Sequence, residues 1–151
     1  MTKEQQETFN LMRGAIHTFN NSSVLLQDLI FGKLAPLVLE KGTSLMNTII
    51  SSVVLYAFSC ELGLKALALK AEKEFPKKHD LMSLYENLPN EMQEGIKSQL
   101  ETMFVESFDT LLERNKNAFT QWRYYYEPGD KTVDVTFLRR FALAIDTECA
   151  R

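Results

Sequence analysis

Apolar residues recur along this chain at three- and four-residue spacing, and no stretch alternates apolar and polar positions as a half-buried strand would. Phe9, Met12, Ile16 and Phe19 share one face of a helix predicted over 3–19, with Thr2 and Gln5 as its capping box. "NNSS" predicts a break, and 23–35 a second helical piece that ends near Pro36. "VLEKGTS" reads as a loop. The next helix is predicted over about 44–74, stopped by Pro76. It is apolar nearly all round, which makes it the central buried element, except for a narrow stripe of Asn47, Ser51, Glu61 and Lys65.

Asp80 predicts an N-cap for a short helix that turns Leu81, Leu84, Tyr85 and Leu88 inward. Asn90 with Gln93 suggests a further capping box. Ile96, Leu100, Phe104, Phe108 and Leu111 then form the inner face of one helix over 91–116, with an acidic outer face. "NAFTQWRYYYE" reads as a helical or turn segment and "PGDK" as a turn. Asp134 caps a last helix over 134–149, with Phe137, Leu138, Phe141 and Ile145 facing in. The pattern predicts an all-α, up-and-down bundle of five to six helices in one domain, residues 1–151.

Composition changes this picture little. The 151 residues carry a net charge of -3, so no overall basic balance argues for nucleic acid. A local phosphate-binding patch is still open, assembled from Lys70, Lys73, Lys77 and Lys78 together with Arg114, Lys116 and Arg123, which flank the aromatic segment. The favourable effect of lysines at a helix end is the plainer account of the first run. The two cysteines, Cys60 and Cys149, lie far apart and suggest free buried thiols; no metal site or cofactor motif is present. The most apolar run reaches about a dozen residues before Glu61, short of the roughly 20 a spanning helix needs. With a polar start, this predicts a soluble, cytoplasmic protein with no membrane partner.

Three places can carry chemistry. Glu61 and Lys65, one turn apart, are either a solvated pair or a polar notch at a buried seam. His79 is a candidate acid, base or donor, or else packs beside Asp80 at a helix start. His17 reads as structural or exposed. In "QWRYYYE", Arg123 lies among Trp122, Tyr124, Tyr125 and Tyr126, which suits a phosphate, a base or a cation–π contact. The alternative is an aromatic anchor whose arginine pairs with an acid such as Glu61.

"AFSCELGLKAL", "HDLMSLYENL" and "FTQWRYYYE", in this order over about residues 44–145, resemble the HEPN domain, a nucleotide-binding helical domain of higher eukaryotes and prokaryotes. The resemblance implies a helical bundle that often forms homodimers and often serves in toxin–antitoxin or phage-defence systems. Many members are metal-independent ribonucleases that carry Arg, four to six variable residues and His on a late helix. Arg123 matches the arginine, but "YYYEPGDK" follows it without a histidine. The resemblance also implies that Glu61 faces Arg123, so that Glu61, Lys65, Arg123 and Tyr126 form a binding site. The leading expectation is a module that dimerises and binds RNA, a nucleotide or a cognate protein. One alternative is a divergent ribonuclease, with Arg123 on the phosphate and Glu127, Tyr126 or His79 moving protons. The other is a structural adaptor.

Overall fold

A computed structural model describes the backbone of residues 1–31 and 45–151, and the side chains of 1–28 and 48–151. Seven helical segments are formed among these residues: α1 Lys3–Phe31, α2 Leu45–Lys70, α3 Leu81–Glu86, α4 Asn90–Lys97, α5 Phe108–Asn115, α6 Ala118–Arg123 and α7 Val135–Ala150. The architecture is the all-α bundle expected. The predicted helix end near Pro36, the loop over 38–44 and the place of Asn47 lie outside the described residues.

α2 is the axis, packing against α1, α7, α6 and α3. Val53, Ala57, Cys60, Leu64 and Leu67 are sealed inside it. At Gly63 the approach of α7 is so close that a Cβ would sit 2.3 Å from Cγ2 of Ile145. Phe108, Phe137, Phe141 and Tyr85 form an aromatic layer at the far end of the core. Both cysteines are free and buried; Cys60 Sγ approaches the carbonyl of Leu138 at 3.5 Å.

The helix starts follow their caps. Thr2 and Gln5 form the reciprocal box, at 2.7 and 3.2 Å. Asp80 accepts from the Ser83 amide at 2.7 Å, and Asp134 from that of Phe137 at 2.8 Å.

Four boundaries differ from expectation. "NNSS" does not break α1: Ser23 is buried and donates to the Phe19 carbonyl at 2.8 Å, Asn20 is buried too, and no glycine or proline stops the helix there. α2 ends at Lys70, well short of Pro76, in a Schellman turn. The Glu72 amide donates to the Leu69 carbonyl and the Lys73 amide to the Ala68 carbonyl, with Glu72 left-handed at φ 56°. Asn90 caps nothing, because Pro89 occupies the cap; Gln93 instead donates to the carbonyls of Glu86 and Leu88. The helix predicted over 91–116 is two, α4 and α5, because Ser107 restarts it by accepting from the Thr110 amide at 3.2 Å. Leu100 stays buried in the intervening turns, and Phe104 is half-buried there, so the apolar repeat runs through the break.

Thr48–Lys70 is, by length and composition, able to cross a membrane, with mean hydropathy 1.5. That span includes Glu61 and Lys65, so the uninterrupted apolar run before Glu61 remains about a dozen residues. Of the span's 18-residue window 67% is buried inside the bundle, as befits a helix wrapped by four others.

Candidate functional site around Glu61, His79 and Arg123

Glu61 lies in the middle of α2 with its side chain only 2% exposed. A carboxylate so placed needs its charge and lone pairs satisfied. Lys65, one turn on, gives its ammonium to Oε1 at 2.6 Å. His79, in the segment between α2 and α3, places Nδ1 at 3.0 and 2.9 Å from the two oxygens. The buried-notch alternative is thus the one realised, with His79 in the place expected of Arg123. The Lys65 ammonium also lies 5.7 Å from the centroid of Phe75.

A carboxylate can only accept, so Nδ1 of His79 donates. In the neutral ring Nε2 is then the basic nitrogen, and it has no partner among the described residues. The His79 side chain is 47% exposed, so the dyad runs from the core to the surface. Asp80 meanwhile caps α3, and Leu81 donates its amide to the Lys116 carbonyl at 2.9 Å, which holds the residues beside His79 in place.

Arg123 does not reach Glu61. Phe119, one turn earlier on α6, is buried and stacks on Phe58 of α2 at 5.0 Å, so α6 docks through that ring and Arg123 falls at its exposed end. Its guanidinium lies 4.9 Å from the Phe119 centroid and 4.5 Å from that of Tyr124, and Nη2 donates to the Tyr124 hydroxyl at 2.7 Å. No carboxylate among the described residues pairs with it. The His79 ring is 5.3 Å from the same Phe119 ring. The single cluster expected of Glu61, Lys65 and Arg123 is therefore two groups, joined through Phe119. Nothing in the sequence signalled that mediator beyond its place one helical turn before Arg123.

Tyr126 and Glu127 sit in the exposed turn after α6. Tyr126 packs edge-on against Tyr124 and Tyr125, and neither it nor Glu127 meets Glu61, Lys65 or His79. Two members of the expected basic patch are taken up by acids, Arg114 by Glu106 and Lys116 by Glu113, while Arg123 has no acidic partner among the described residues. Lys77 and Lys78 are exposed just before His79. His17 is half-exposed, 3.4 Å from Asp146.

Burial pushes the thiol of Cys149 up to about 12 and that of Cys60 higher, so neither is a nucleophile near neutral pH. No family model, curated protein or solved structure matches this chain.

Proposed function

We propose that this chain is a HEPN-like helical module that binds RNA phosphates on the face shared by His79 and Arg123, as a cytoplasmic homodimer in a toxin–antitoxin or phage-defence setting. The observation that carries the reading is the pairing of buried Glu61 with half-exposed His79, whose ring shares Phe119 with an arginine lacking any acidic partner among the described residues. An imidazole and a guanidinium held on one aromatic ring suit a phosphodiester: Arg123 gives a planar pair of donors, and Lys77 and Lys78 add charge nearby.

The Glu61–His79 bond favours cleavage as a second reading. Nε2 of His79 takes the proton of a ribose 2′-hydroxyl, whose oxygen bonds to phosphorus. The bond to the 5′-oxygen breaks, and that oxygen takes a proton from water, leaving a cyclic phosphate. Glu61 orients the ring and stabilises the imidazolium; Arg123 neutralises the phosphate. Here His79 takes the part that the absent histidine after Arg123 would play.

Anisotropy with a labelled single-stranded RNA, in chelator, tests the first reading. Arg123→Ala and His79→Ala are expected to weaken binding about tenfold each, and Arg140→Ala, which lines a different groove, hardly at all. Equal affinity in all four proteins would remove it. Chelator-resistant cleavage lost in His79→Ala decides for the second.

A further inference from the structure

Neither His79 nor Arg123 is held firmly by its own segment. His79 lies between α2 and α3 with Nδ1 tethered to Glu61, and Arg123 ends α6, a helix of only 6 residues. A long side chain left free at such an end has to be ordered by whatever it binds, which takes away from affinity. What the two side chains share is the ring of Phe119, 5.3 Å from the imidazole and 4.9 Å from the guanidinium. That ring is itself fixed. It stacks on Phe58 of α2 at 5.0 Å and 20°, and Phe58 meets Phe19 of α1 edge-on at 5.0 Å and 62°. Three rings from three helices thus form one column, and the column ends at the two site residues. Phe19 and Phe58 are half-buried, so it runs along the rim of the core.

We infer that Phe119 is the positioning residue of the His79–Arg123 face: its ring, held by Phe58 and through it by Phe19, fixes where imidazole and guanidinium stand relative to each other. The inference rests on the RNA-binding role proposed for those two side chains and adds what aims them. Phe119 is 7% exposed, so it acts through them and offers a ligand almost no surface of its own. Glu61 pins Nδ1 but leaves the imidazole free to swing about that bond; the Phe119 ring, tilted 48° to it, closes off one side and so sets where Nε2 points. Arg123 gains cation–π attraction from Phe119 and from Tyr124. Tyr124 is 38% exposed and adjacent in the chain, so it moves with Arg123, and Phe119 is the fixed member of that pair.

Two measurements on the full chain test this. The first needs no RNA: the NMR order parameter of the Arg123 Nε–H. It is expected to exceed that of exposed Arg140 in the wild type, to fall to the Arg140 level in Phe119→Leu, and to fall part of the way in Phe58→Leu. Phe58→Leu leaves residue 119 intact and carries the test if Phe119→Leu does not fold. The second is a double-mutant cycle on the affinity for a labelled oligouridylate in chelator. Phe119→Leu alone should weaken binding about fivefold and Phe58→Leu about threefold. Arg123→Ala, at about tenfold in the wild type, should weaken Phe119→Leu or Phe58→Leu by no more than about threefold, because the arginine is no longer aimed there. His79→Ala should follow the same pattern.

Losses that simply add, with Arg123→Ala still costing about tenfold beside Phe119→Leu or Phe58→Leu, would make Phe119 a packing residue only and overturn the inference. So would an Arg123 order parameter that neither variant lowers. RNA affinity that falls in Arg123→Ala and His79→Ala but stays full in Phe119→Leu and Phe58→Leu removes the positioning role and spares the RNA face. RNA affinity untouched by Arg123→Ala and His79→Ala removes the RNA face, and the inference with it, even where the order parameters change as expected.

Discussion

Removing the carboxylate of Glu61 leaves a lysine and a histidine facing a buried gap. Breaking a buried ion pair from one side costs about 3–5 kcal/mol. Because the Lys65 side chain is 15% exposed and that of His79 47%, Glu61→Ala is expected near the lower end, about 3 kcal/mol by urea denaturation. A loss under about 1 kcal/mol would mean the pair is solvated in solution. The thiols give a second residue-scale test, in alkali. Unfolded cysteine ionises near 9, while folded Cys149 keeps its proton to about 12. The folded state therefore binds more protons between these values, so this contribution is full below about pH 9 and declines as pH rises towards 12. Denaturation midpoints from pH 8 upwards, with Cys149→Ala losing the alkaline decline that Cys149 adds, check the sign. The Glu61–Lys65 half of the cluster could be read from a four-residue spacing. The His79 half could not, because those residues are brought together by the turn between α2 and α3 and carry no shared local signal.

At the scale of the element, α2 is fixed by what it admits next to it. A methyl at Gly63 would overlap Ile145, and overpacking of this kind costs about 1–3 kcal/mol. Gly63→Ala should lower the thermal midpoint, and adding Ile145→Leu, which removes the offending γ-methyl, should recover part of it. No change in Gly63→Ala would mean that α2 and α7 sit farther apart. Capped starts such as Asp80 and Asp134 were legible because a cap is a local contact between a side chain and the amide three residues on. Helix continuity was not. The polar run 20–23 stays helical because it holds no glycine or proline and its buried members, Asn20 and Ser23, face the core, and the break before Ser107 hides within an apolar repeat that continues into the core.

For the whole molecule, the consequence of α6 docking through Phe119 is that an acid–histidine pair and an arginine come to one face without touching. The all-α bundle was readable from periodicity because every inward face repeats at helical spacing. The site was only half readable, since Arg123 is aimed by a ring at a neighbouring position rather than by its own charge. The most direct measurement of the central claim is NMR of the side chains of His79 and Arg123 during titration with a short single-stranded RNA. The account predicts that His79 Nε2 and the Arg123 guanidinium signals shift together and saturate at one RNA concentration, while the Arg140 guanidinium does not. RNA that saturates the chain with both signals unmoved, or that moves Arg140 instead, would contradict it.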